Sequence, residues 1–257
     1  MALIKNNIPI LEYDTEWKAV LMPSVDSPHI FTEKAVMLFM KQEIEDYVKA
    51  HDCKIVDEFI CVSGNFYIYK TEYRGQELTF VQALVGGAAA VEIMEYLIAG
   101  GVKKIIAAGC CGALEDDKEG DFFIPVTALR QEGVSYQYLP PDREVELCEE
   151  AVMAIEDALK KEGFSYRRCK TWTTDGLFRE TKDMVLYRKS EGCSVVEMEC
   201  ASLAACAKMR GIVFGQLLFT ADSLANVEKH DKRNWGEDTF SVAMELAFNA
   251  AVSLVNL

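Results

Sequence analysis

The stretch from Cys193 to Asp222, CSVVEMECASLAACAKMRGIVFGQLLFTAD, constrains the fold more than any other part of the chain. Ser194-Val195-Val196 is a β-branched run that reads as the end of a strand. Glu197-Met198-Glu199 follows, then a small-residue helix from Cys200 to Met209 able to pack closely on a sheet. Arg210-Gly211 stops that helix. Ile212 to Phe219 reads as a buried strand, because it is an apolar run bounded by a glycine and a polar turn. Asp222 lies just past it. Strand, helix and strand in this order predict an open α/β sheet, in which ligands bind outside the carboxyl ends of strands. Glu199, at a strand-to-helix junction, and Asp222, at the next strand end, are then neighbours on one rim. Two carboxylates in different surroundings can divide a binding role from an acid role. Acidic residues near helix N-termini also serve as plain caps, and at this level that alternative stays open.

The remaining elements follow the same reading. Residues 1–28 are irregular, punctuated by Pro9, Pro23 and Pro28. Phe31 to Ala50 carries apolar residues at helical spacing and predicts one amphipathic helix. Glu58 to Val62, Phe66 to Tyr73 and Glu77 to Leu84 read as strands, with Arg74-Gly75-Gln76 as a hairpin turn. Val85-Gly86-Gly87 then opens a helix that runs to about Ala99 and ends at Gly100-Gly101. Lys103 to Ala108 is a strand leading into Gly109-Cys110-Cys111-Gly112, read as a turn whose backbone N–H groups can hold an anion. Phe122 to Leu129 and Tyr166 to Thr174 are strands, Arg143 to Lys161 and Glu237 to Leu257 helices. The connection from Arg130 to Pro141 is long enough to suggest a functional loop. Without repeats or linkers, residues 1–257 are expected to form a single domain.

Charge narrows the partners. The net charge is −14, from 41 acidic against 27 basic residues, and such a surface repels a nucleic-acid backbone. No apolar run is long enough to cross a bilayer and no secretory leader is present, so no membrane partner is expected. Nine cysteines without C-x-x-C spacing read as reduced thiols of a cytoplasmic protein. Three histidines argue against a histidine-rich metal site, and no metal is expected. The glycines do not follow G-x-G-x-x-G, which sets aside a dinucleotide-dependent oxidoreductase.

Several ordered pieces over roughly residues 56–225 resemble the nucleoside phosphorylase and nucleosidase superfamily, which includes uridine phosphorylase and the hexameric purine nucleoside phosphorylases. They are the Phe66–Gly87 strand pair with its glycine-rich end, Val102-Lys103-Lys104-Ile105-Ile106 leading to Gly109-Cys110-Cys111-Gly112-Ala113, Thr174-Asp175-x-x-Phe178, Val196-Glu197-Met198-Glu199, and Thr220-Ala221-Asp222. Arg130 to Tyr138 is similar to the uridine phosphorylase branch. The resemblance implies a three-layer α/β/α fold with a mixed, partly closed central sheet. It implies that Glu199 holds the ribose 2′- and 3′-hydroxyls, with Met198 and Val85 on the sugar. A carboxylate suits that task, since its two oxygens can accept from two vicinal hydroxyls. It places Cys111, Gly112, Leu177, Phe178 and Glu197 around the base, and Gly109, Cys110 and Arg130 at the phosphate or nucleophile site. Asp222 becomes the catalytic acid. A purine leaves more readily when protonated at N7, and relatives acting on uridine lack this aspartate, so purine nucleosides are favoured.

The departures bear on the nucleophile. The family's phosphorylases carry an arginine where this chain has Ala107 and a phosphate-holding hydroxyl where it has Cys110. Their N-terminal Gly-Asp-Pro loop is replaced by the segment from Met22 to Pro28, and no cross-subunit arginine stands near Ser63-Gly64-Asn65. A phosphate dianion needs charge-assisted donors, for which Arg130, Arg179 and His29 are the substitutes at hand. Phosphorolysis to free base and ribose 1-phosphate is placed first, because the glycine-rich turn is kept. Hydrolysis by water, which needs no such clamp, is the alternative, and a non-catalytic nucleoside binder is a third reading. Cys110 has no histidine in an obvious partnering segment, which argues against a thiol nucleophile. A small-molecule nucleoside is the expected partner, with phosphate as co-substrate under phosphorolysis and no other cofactor. A homo-oligomer, dimer or hexamer, is expected by the same resemblance.

Overall fold

The structure, a computed structural model, describes residues 3–25, 27 and 29–255; Asp26, Pro28 and the end of the C-terminal helix predicted to reach Leu257 lie outside the described residues. In chain order the strands are β1 (Leu3–Ile4), β2 (Tyr13–Asp14), β3 (Lys34–Leu38), β4 (Lys54–Cys61), β5 (Gly64–Tyr73), β6 (Gln76–Gln82), β7 (Lys104–Ala113), β8 (Phe122–Gln131), β9 (Glu144–Glu146), β10 (Tyr166–Thr174), β11 (Cys193–Glu197) and β12 (Val213–Ser223). The helices are α1 (Gln42–Ala50), α2 (Gly87–Ala99), α3 (Ser135–Tyr138), α4 (Glu149–Lys161), α5 (Lys182–Ser190), α6 (Cys200–Arg210) and α7 (Phe240–Ser253). Apart from the β1–β2 ribbon, the strands form one mixed sheet in the order β11-β10-β8-β12-β7-β3-β6-β5-β4, with β9 on β8. Because β11 also pairs with β7, five strands close into a barrel and β3, β6, β5 and β4 extend from it.

Helices cover both faces, and the alternation of side chains along a strand assigns each residue to one of them. Val36 and Leu38 of β3 pack with Ile106 and Ala108 of β7 against α4 and α7. Ala35 and Met37 pack with Ile105 and Ala107 against α2 and α6. The barrel interior is filled by Cys111, Phe123, Cys169, Val195 and Leu218. The β5–β6 hairpin turns at Arg74 and Gly75, both at positive φ (49° and 76°), as a two-residue connection requires.

Four local expectations are corrected. The helix predicted over Phe31–Ala50 is a strand, β3, followed by the shorter α1, because the unbroken apolar run from Ala35 to Met40 sits in the sheet centre with helices on both sides. The helix predicted from Arg143 begins at Glu149, since Glu144–Glu146 pairs with β8. Gly109–Gly112 is not a turn: it continues β7, paired with β12 through Cys111 and with β11 through Gly112. Asp222 falls inside β12, one residue before its end.

Candidate active site

The carboxyl ends of β6, β7, β10, β11 and β12 meet on one rim, as expected for ligand sites in α/β sheets. At the β11–α6 junction two carboxylates two residues apart have opposite fates. Glu197 is buried and spends both oxygens internally. Its Oε2 accepts from the backbone N–H groups of Glu199 (2.7 Å) and Cys200 (2.6 Å), and its Oε1 from the hydroxyls of Thr173 (2.6 Å) and Thr171 (3.2 Å). It caps the first turn of α6. Glu199 is turned toward the β6–α2 junction, where its Oε1 accepts from the Gly86 N–H at 2.6 Å. Gly86 holds φ at 92°, a conformation that aims this N–H without a Cβ penalty. Burial raises Glu197 despite its four donors, which favour its charged form. Burial and the charge of Glu197 push Glu199 up to about 8.

Asp222 projects from β12 into a cavity of about 280 Å³, a size for a base rather than for a dinucleotide. Leu177 and Phe178 of the turn after β10 line it, with Glu180, Lys182, His230 and Trp235. His230 Nε2 lies 2.7 Å from Asp222 Oδ2, and its ring is tilted against Trp235 with centroids 5.9 Å apart. Lys182 is paired with Glu228. Gly112 leaves room for the aspartate, since a Cβ there would lie 3.3 Å from Asp222 Oδ1 and 2.8 Å from Leu224 Cδ1. Burial and the charge of Asp222 push Glu180 up to about 7.

Cys110 links the two ends. Its side chain opens to the rim, yet burial together with the charges of Asp222 and Glu199 pushes its thiol up to about 11. A thiol held protonated in this way is a poor nucleophile. Both carboxylates therefore act on one small volume beside β7. The surroundings of Gly109 are apolar: a Cβ there would meet the Phe39 side chain at 2.9 Å, so that ring lies across the glycine.

The structure brings Glu199, Cys110, Gly112, Leu177, Phe178 and Asp222 to this rim, with Met198 half-buried beside Glu199 and Val85 exposed next to Gly86. Three expected residues are not part of it. Arg130 is buried and its guanidinium holds the loop that follows it, donating to Ser135 Oγ (2.8 Å), Pro140 O (2.9 Å) and Leu139 O (3.2 Å) while stacked on Tyr136. Cys111, one residue from Cys110, points the opposite way, into the barrel, with Sγ 3.4 Å from Phe219 O. Glu197 is the cap already described. Sequence reasoning missed Glu180, His230 and Phe39. Glu180 follows the expected Phe178 closely, but His230 lies on the 224–239 loop, and no motif there marks a contact with Asp222.

A mixed sheet with a closed five-stranded barrel, flanked by helices and carrying its site at the strand ends, is the fold of the nucleoside phosphorylases. Solved structures show the same fold: uridine phosphorylase from Vibrio fischeri superposes with a TM-score of 0.73 at 17% identity, covering 91% of this chain and 98% of that one. AMP nucleosidase from Bacteroides thetaiotaomicron does so with a TM-score of 0.68 at 23% identity, covering 87% and 89%. The family model of the phosphorylase superfamily matches residues 33–256, and the chain belongs to that superfamily. Among curated relatives, a DeoD-type purine nucleoside phosphorylase of Bacillus cereus is 28% identical over 188 residues, 70% of this chain and 77% of the relative. Among the described residues, no helix is long and apolar enough to cross a membrane.

Proposed function

We propose that this chain cleaves the N-glycosidic bond of a purine nucleoside, with water as the attacking nucleophile. The observation that carries the cleavage is the convergence of Asp222 and Glu199 on Cys110, beside a base-sized cavity into which Asp222 projects. The ribose 2′- and 3′-hydroxyls donate to Glu199, Met198 packs on the sugar, and the base enters between Leu177 and Phe178. As the C1′–N bond breaks, its electron pair passes to the base, and a hydrogen bond from protonated Asp222 to N7 stabilises the leaving group. His230 holds the Asp222 carboxyl in place. Water then adds at C1′ and gives up a proton, which balances the electron pair passed to the base, so that free base and free ribose result.

The surroundings of Gly109 and Cys110 move hydrolysis ahead of the phosphorolysis placed first from sequence. Phe39 covers Gly109, Ala107 is core, Arg130 is committed to its own loop, and the charges bearing on Cys110 are negative. A dianion gains little in such surroundings. Phosphorolysis stays as the second reading because the curated relatives that match the chain include purine nucleoside phosphorylases. The test is base release from a panel of purine and pyrimidine nucleosides. Release from inosine or adenosine but not from uridine is expected; turnover confined to uridine would overturn the purine assignment.

A further inference from the structure

Glu180 has no role in the mechanism above, yet it shares the base cavity with Asp222. Among the described residues its carboxyl makes no hydrogen bond and no ion pair, whereas the buried Glu95, Glu132 and Glu197 each accept several hydrogen bonds. It is carried on the turn between β10 and α5, two residues after Phe178, which with Leu177 is expected to contact the base. A half-buried, unpartnered carboxyl facing a ligand cavity is placed to meet the ligand itself.

The charged and titratable groups around it are few. Asp222 comes from β12 and is engaged by His230 of the 224–239 loop. Lys182 of α5 is paired with Glu228 of that loop, and Asp175, at the start of the turn, is directed to the Gly133 N–H. Arg179 is exposed. Lys182 is thus committed elsewhere, and the neighbour that bears on Glu180 is the like-charged Asp222.

A purine offers N7 and its C6 substituent side by side on one edge. In the proposed pose N7 faces Asp222, so a second carboxyl in the same cavity meets the group at C6. We propose that Glu180 reads that group, donating a hydrogen bond to a 6-oxo substituent when protonated and accepting one from a 6-amino substituent when ionised. This inference rests on the proposed purine pose. Because burial and Asp222 push Glu180 up to about 7, its proton is lost within the neutral range, and the base preference turns over there.

The experiment is calorimetric titration of the full chain with free hypoxanthine and free adenine from pH 5.5 to 8, a window in which neither base changes charge. The ratio of adenine to hypoxanthine affinity is expected to rise roughly tenfold across the window, as a hydrogen bond to a charged group warrants. Glu180→Gln carries both a donor and an acceptor at every pH and should flatten the ratio. A constant ratio in the unaltered protein overturns the proposal without needing any variant to fold. A rise that persists in Glu180→Gln also overturns it by assigning the titration to another group. Base release from inosine and adenosine is measured on the same preparations. Turnover with a flat ratio removes this inference and leaves the proposed function standing. A rising ratio without turnover keeps the inference and removes the catalytic reading. Binding of neither base removes the inference, and turnover then decides the catalytic reading by itself.

Discussion

The two ends of the rim are built differently. At the proposed ribose end, Glu199 is 7% exposed and sits between two strand-to-helix junctions, with the Gly86 N–H holding one oxygen. At the proposed base end Asp222 comes from β12, and most of the other residues lining the cavity come from the turn at 175–182 and the loop at 224–239. That loop holds Arg233 and Trp235 at positive φ, 48° and 56°, so its path depends on its own anchors. Glu119 supplies one of them, accepting from the N–H groups of Asn234 (2.9 Å) and Gly236 (2.7 Å). The contrast separates a grip from a reader. A sugar presents the same vicinal hydroxyls whatever base it carries, so a carboxylate fixed by regular elements is enough. Bases differ at their edges, and loops can change those contacts without disturbing the sheet.

The comparison would break most visibly at Asp222. Asp222→Asn keeps the size and the approach to His230 but removes the proton. kcat for purine nucleosides should fall by roughly 10²–10⁴-fold, the span of a positioned general acid, with a smaller change in KM. Steady-state rates check this, and an unchanged kcat would move the acid role elsewhere, with Glu180 the next candidate.

Glu199 sharpens the comparison through pH. Its pKa of about 8 leaves the carboxyl neutral in the empty site below that value, and only the ionised form accepts from both hydroxyls. Nucleoside affinity should therefore strengthen as pH rises through about 8, while free-base affinity shows no transition there. Glu199→Gln should remove the nucleoside transition and weaken nucleosides by about tenfold, leaving bases unaffected. Titration calorimetry with both ligand types separates the two ends.

The smallest effect is on stability. Glu180 is raised from 4.5 to about 7, so the fold binds its proton more tightly than the unfolded chain does. Its contribution is fully present below 4.5 and is lost as pH rises to about 7. Glu180→Gln should show a Tm difference from the unaltered protein that grows in favour of the variant across that interval and is level above it. Thermal melts at a series of pH values check this.

What was legible in the sequence follows the same division. β10 was read end to end as Tyr166–Thr174, and α6 to within one residue, because glycine and polar breaks bound both. Glu199 and Asp222 were legible as neighbours on one rim because each lies at or near the carboxyl end of a strand. β3 was not, since a short apolar run buried on both sides carries no period of its own and borrowed the helical spacing of α1. Gly109–Gly112 looked like a turn by composition, although closing the barrel needs small residues within a strand where β11 and β12 approach β7. The family resemblance places Cys111 and Glu197 at the base, but alternation along β7 and the capping need of α6 turn them inward. Glu180 and His230 depend on where two irregular segments meet, which no local pattern records.

The most direct test of the account is the rate of base release from inosine and adenosine in phosphate-free buffer and with phosphate added. The account predicts release at the same rate in both, with free ribose as the sugar product. Release that requires phosphate and yields ribose 1-phosphate would contradict it, and would mean that the dianion finds a site despite Phe39 and the carboxylates around Cys110.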